Sequence, residues 1–168
     1  NGYWNGNVWL SHQWFVWKTM LDLGETDFAF RIAETALKSW KREVEYSYYT
    51  FEMFNITSGR GGWFHNFGGL STPINIWTNA YYKPKTLSTG LDTMVMDSNF
   101  NEEATEFNCN LKYYGNNEKY SVIVVMTDKK ENISVTVNDE NADFFVRDKG
   151  IVEITISGEV KSAEIKIN

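Results

Sequence analysis

Cysteine is all but absent. The single residue, Cys109, excludes an intrachain disulfide, and its place in an alternating apolar run marks it as a small buried hydrophobe rather than a nucleophile. Histidine is scarce as well: His12 and His65 stand far apart with no cysteine cluster beside them, which argues against a zinc site. No apolar run reaches the ~18 residues that a membrane-spanning helix requires. No polybasic stretch suits an anionic membrane surface, and no signal peptide is visible. Positive charge is thin, with 16 Lys and Arg against 22 Asp and Glu, a net charge of −6. A nucleic-acid partner, which asks for a basic face, is therefore not expected. Tryptophan is missing beyond Trp77, although the chain holds seven: Trp4, Trp9, Trp14, Trp17, Trp40, Trp63 and Trp77.

What is present makes a packed core affordable: hydrophobic residues are 42% of the 168, which excludes wholesale disorder. The uneven tryptophan suggests two domains. The first residue is Asn1 rather than Met, and the chain opens directly into an aromatic motif, as a cut start would.

Hydrophobic period divides the chain in the same way. Leu10, Trp14, Trp17 and Leu21 recur at three- and four-residue steps and predict a helix over 8–23, apolar on more than one side, with Gly24 as its stop. Thr26 or Asp27 caps a second helix to about 43, whose apolar set is Phe28, Ile32, Ala36 and Trp40, with Arg31, Lys38 and Lys41 outside. Residues 46–69, rich in glycine and aromatics, show no helical period, and a loop of that length is usually functional. A third helix runs from about Gly69 or Leu70 to Tyr82, with Pro73 in its first turn and Ile74, Trp77 and Tyr81 on one face. Residues 83–92, with Pro84 and Gly90, read as a linker. Beyond them the period becomes two: Phe107, Cys109, Leu111 and Tyr113; a continuous apolar run 120–126; Ile133, Val135 and Val137; Val152, Ile154 and Ile156; Ala163, Ile165 and Ile167. Turn signals separate these runs, among them Asp128-Lys129-Lys130, Asn138-Asp139 and Ser157-Gly158. Five or six short strands predict an antiparallel sandwich or barrel over 93–168. Three helices with Trp-rich faces cannot bury themselves, so further chain or a partner is expected to complete the helical layer.

Two motifs carry a resemblance. Tyr3-Trp4-Asn5-Gly6-Asn7-Val8-Trp9 leads into the first helix. Phe51-Glu52-Met53-Phe54-Asn55 is followed by Thr57-Ser58-Gly59 and then by Phe67-Gly68-Gly69-Leu70-Ser71. In order and approximate spacing these resemble the (α/α)6-barrel glycosidases related to processing α-glucosidase, glycoside hydrolase family 63. The likeness covers about 1–82. It implies an α+β chain of two parts: 1–82 as the C-terminal part of the barrel, about three helices and an active-site loop, then 83–92 as linker and 93–168 as a small antiparallel β-sandwich. Asn5 stands for the group's Arg, Asn7 for its Pro, Phe54 for a Tyr and Gly69 for a Trp; these departures bear on substrate identity more than on reaction class.

Glycosidic cleavage with inversion needs two carboxyl groups about 6.5–9.5 Å apart, one protonating the leaving oxygen and the other activating water. Glu52 is the only carboxylate between Tyr46 and Gly69, and the resemblance makes it the general base. The group's acid, an Asp, lies upstream of the first motif and has no counterpart here. Read without the resemblance, Glu52 is a solvated loop carboxylate or a partner of Arg60. Trp4, Trp9, Trp63 and Phe64 are candidate sugar-stacking walls, since pyranose rings present apolar C–H faces to aromatic rings; core packing is the alternative for each. Asn55 and His65 are candidate hydroxyl contacts or structural residues. No cofactor or metal is indicated. The expected partner is an oligosaccharide substrate, in an inverting exo-acting α-glycosidase; the alternative is a carbohydrate-binding or structural module without catalysis.

Overall fold

A computed structural model describes residues 4–127, 132–148 and 150–168. In chain order the elements are β1 (Asn7–Val8), α1 (Leu10–Asp22), α2 (Thr26–Ser47), β2 (Phe51–Asn55), β3 (Gly61–His65), α3 (Gly68–Tyr82), β4 (Thr86–Ser88), β5 (Thr93–Phe100) and β6 (Phe107–Tyr113). They continue with β7 (Lys119–Val125), β8 (Val135–Val137), β9 (Glu140–Asn141), β10 (Phe144–Val146), β11 (Ile151–Ser157) and β12 (Ser162–Ile167). The chain is thus α+β, with its strands in three antiparallel sheets. It divides into two compact units, Asn1–Trp17 with Asp27–Thr78, and Lys18–Thr26 with Asn79–Asn168, so that α1 and α3 each contribute to both.

In the first unit the three-stranded sheet has the order β1-β2-β3. Val8, read as the start of a helix, pairs instead with Phe54, and α1 begins at Leu10. Residues 46–69, read as irregular, hold the β2–β3 hairpin. The buried stripe of α2 is Ala29, Ala33, Ala36 and Glu43, displaced from the expected set, and Phe28 is exposed. On α3, Ile74 and Trp77 are buried as expected. Pro73 lies inside the helix rather than in its first turn, where it removes one intrahelical donor.

In the second unit two sheets, β10-β11-β7-β4 and β5-β6-β12-β8-β9, contribute to one hydrophobic cluster. The period-two runs supply it: Phe107, Cys109, Leu111 and Tyr113 from β6, Tyr120, Val122 and Val124 from β7, Val152, Ile154 and Ile156 from β11, and Ala163, Ile165 and Ile167 from β12. Burial pushes the Cys109 thiol up to about 12, which fits an inert apolar filler. Asn138 and Asp139 both adopt positive φ, 53° and 64°, the requirement of a two-residue type I′ turn; here it joins β8 to β9. Within 83–92, Thr86–Ser88 forms β4 and pairs with β7. The Asp128-Lys129-Lys130 turn lies outside the described residues, as does Tyr3 of the first motif.

The end of α1 is held in this unit by a polar cluster. Gly24, at φ 71°, closes the helix: its N–H donates to Leu21 O and that of Glu25 to Met20 O, the Schellman pattern. The Asp22 carboxylate accepts the N–H groups of Leu91 (2.8 Å) and Asp92 (3.1 Å). Burial raises its pKa, and these two donors partly offset the rise. A Cβ at Gly90 would overlap that carboxylate and come within 3.0 Å of the Asp22 backbone nitrogen. Gly90→Ala is therefore expected to cost about 1–3 kcal/mol, as overpacking does. Urea unfolding reads this, and an unchanged midpoint would show that the contact yields freely.

Candidate functional site

Glu52 is the second residue of β2, a strand buried at Glu52, Met53 and Phe54 in succession. Its residue exposure is 5%, so the reading as a solvated loop carboxylate is overturned. Arg60, its proposed partner, is engaged elsewhere: its guanidinium forks onto Glu43, Nε to Oε2 at 2.6 Å and Nη2 to Oε1 at 3.2 Å.

That pair organises the hairpin. Glu43, also buried, lies on α2 and further accepts the Gly61 N–H at 3.0 Å. The Arg60 guanidinium sits 4.0 Å above the centre of the Tyr46 ring. Arg42, one residue back on the helix, donates to Gly59 O at 3.0 Å. The β3 end of the turn is thereby tied to α2. Inside it, Asn55 Oδ1 accepts the N–H groups of Thr57 (3.0 Å) and Ser58 (2.9 Å), the closure of an Asx turn. The oxygen of Asn55, a candidate sugar contact, thus has a structural task.

The two buried carboxylates of this unit, among the described residues, differ in chemistry. Arg60 and the Gly61 N–H hold Glu43 down to about 2, against the opposing effect of burial. Glu43 therefore remains ionised and committed to Arg60, and is unsuited to giving or taking a proton near neutrality. A carboxyl depressed on folding stabilises the protein above its ordinary value of 4.5, and the contribution is lost as pH falls towards 2. Acid unfolding followed by near-ultraviolet circular dichroism should show this loss, and Glu43→Gln should flatten the dependence between those limits. An identical acid curve in the variant would remove Glu43 from that role.

Opposite Glu52 the register slips. Phe51 faces His65, but Met53 faces Gly62. Two residues, Trp63 and Phe64, therefore stand against the one residue Glu52, which is a β-bulge. Trp63 takes φ 68°, a left-handed conformation that is a genuine outlier for so bulky a residue. Both aromatic residues are open to solvent, at 61% and 65%. His65 follows, exposed, with its ring 4.8 Å from that of Tyr49.

The remaining candidates form a separate group. Trp4 stacks on Trp9 at 4.1 Å and 22°, and His12 meets the Trp4 ring edge-on at 5.5 Å. Trp9 is buried, so Trp4 is the ring this stack presents to solvent. A nearby groove of about 380 Å³ has Val8, Phe28, Ile32, Phe54, Asn55 and Ile56 in its wall, with Arg31 as its charged member. Of the candidates only Asn55 lines it; the aromatic candidates do not gather around this one hollow. Among the described residues no group of three or more His, Cys, Asp or Glu is placed to hold a metal ion, and no helix is long and apolar enough to cross a membrane.

Reading the sequence missed the Glu43–Arg60 fork. A signal was present: Ala29, Ala33, Ala36, Trp40 and Glu43 follow one another at four- and three-residue steps, so a carboxylate on the apolar stripe demanded a partner. Searches against protein families, curated proteins and solved structures found no match.

Proposed function

We propose that this chain is the C-terminal portion of an inverting, exo-acting α-glycosidase, an α-glucosidase of the (α/α)6-barrel group related to glycoside hydrolase family 63. In this reading the three helices belong to the barrel, other sequence completes it, and the two-sheet unit is an accessory β-sandwich. The observation that carries the proposal is Glu52: a buried carboxylate facing a bulge with two exposed aromatic residues, in a unit whose other buried carboxylate is locked in a salt bridge.

The chemistry follows from inversion. A water bound between Glu52 and the anomeric carbon gives its proton to Glu52 as its oxygen forms the new C–O bond. The glycosidic C–O bond breaks on the opposite face, and a second carboxyl group, from sequence outside these residues, protonates the departing oxygen. The sugar leaves with inverted configuration. The aromatic residues supply apolar faces for the ring, with Trp4, Trp63 and Phe64 the exposed members.

The test is hydrolysis of 4-nitrophenyl α-D-glucopyranoside and maltose by the full-length protein, with the anomer formed first read by proton NMR. Release of the β-anomer supports the proposal; retention, or absence of cleavage across α-glucosides and α-mannosides, rejects it. Sugar binding without cleavage would favour the non-catalytic module instead, a reading that rests on the same exposed rings.

A further inference from the structure

The hairpin holds three glycines, and the fold accounts for two of them. Gly59 needs its positive φ of 63° for the turn, and at Gly61 a Cβ would collide with the Phe51 ring. Gly62 has neither reason. Its φ is not among the positive values, and a Cβ there would meet no heavy atom within 4 Å. A glycine inside a strand weakens it and commonly marks a bulge or the close approach of a ligand to the backbone.

The next residue departs from local preference in the opposite sense. Left-handed φ at a bulge is normally supplied by glycine, yet here it is taken by Trp63 at 68° while Gly62 beside it does without. Exchanging the two residue types would suit the backbone better. Such conformations cost free energy and persist at sites whose geometry serves function. The arrangement leaves bare backbone beside an exposed indole, on the strand facing the buried Glu52.

We infer that Gly62 and Trp63 form one subsite for a neutral pyranose ring: the bare backbone at Gly62 is its floor, and the strained Trp63 ring is its stacking wall beside Glu52. The inference rests on the glycosidase reading and deepens it by assigning Gly62, which the resemblance does not, and by giving the strain at Trp63 a purpose. Alanine at Gly62 fits the fold and narrows the unfolded ensemble, so stability should hold or rise; its methyl group would occupy the space of the sugar. Glycine at Trp63 relieves strain and removes the wall.

The experiment uses the full-length protein, 4-nitrophenyl α-D-glucopyranoside and thermal unfolding. Gly62→Ala should raise KM about tenfold, the equivalent of a lost ring contact, with an unchanged or higher Tm. Trp63→Gly should raise KM similarly and lift Tm by about 2–4 °C. Trp63→Ala should raise KM without the gain in Tm, and Trp63→Phe should stay within about threefold of the parent in KM, since a ring remains. Unchanged KM in both Gly62→Ala and Trp63→Gly would overturn the subsite while leaving Glu52 as base. A fall in Tm for Gly62→Ala would show that the glycine serves the fold, and would overturn it as well. A parent that cleaves no glycoside rejects the broader reading instead, so the two failures are distinct.

Discussion

Glu52→Gln in the full-length protein is expected to lower kcat by about 10²–10⁴, the usual contribution of general base catalysis, while KM moves by less than about threefold. The glutamine side chain has nearly the same shape, so the buried strand around it, Met53 and Phe54 included, need not repack. What it loses is the lone pair that receives the water's proton. The activity assay must therefore be read beside thermal unfolding. A variant that keeps its Tm and its KM but loses turnover has lost a proton acceptor; one that loses all three has lost a structural carboxylate. Undiminished turnover would end the assignment of Glu52, and with it the catalytic proposal. Glu43→Gln is the necessary comparison, because Glu43 is equally removed from solvent but committed to Arg60. Its main effect should be on the hairpin's stability and on the acid limb of the stability curve.

The β unit was legible because its signal is local and repeated. An alternating run such as Phe107, Cys109, Leu111, Tyr113 announces both strand and facing, and the structure buries all four. The first unit was harder because its signals compete. Alanine is weakly apolar, so Ala29 and Ala33, which share the buried stripe with the expected Ala36, lost to the larger Phe28 and Ile32, which instead border a groove. The hairpin of β2 and β3 has five-residue strands without alternation and a bulge between them, so no period could reveal it. β5 was hidden for a different reason: Met94, Val95 and Met96 are consecutive exposed apolar residues on an edge strand, and its pairing with β6 is itself interrupted after Val95.

The candidate site shows the same division. Glu52 drew attention as the one carboxylate in an aromatic, glycine-rich stretch, and through a motif resemblance. Its burial, the slip that sets Trp63 and Phe64 against it, and the fork that takes Arg60 away from it all depend on pairing between residues distant in sequence. A single sequence carries register only where one face is plainly apolar, and here the strand is buried on both.

Glu153 is a charged residue held out of solvent within the β unit. It lies between Val152 and Ile154, both in the core cluster, so alternation places its side chain on the opposite face of β11. In the structure its side chain is 1% exposed and forks with Arg147, itself 14% exposed: Nε to Oε1 at 2.6 Å and Nη2 to Oε2 at 2.8 Å. The two charges neutralise one another on a covered face of β11. Glu153→Ala removes the carboxylate that faces the guanidinium in a site poor in water, leaving the Phe145 ring 5.2 Å away among its contacts, and is expected to destabilise the second unit by about 3–5 kcal/mol, the cost of breaking a buried pair from one side. Replacing both partners, as in Arg147→Met with Glu153→Met, removes both desolvation costs and should recover most of that loss. Urea unfolding of the full chain and its variants decides the matter. A loss below about 1 kcal/mol in Glu153→Ala would mean that Arg147 reaches solvent unaided, as surface pairs do. A double variant no more stable than Glu153→Ala would mean that packing, rather than charge, accounts for the requirement at this position.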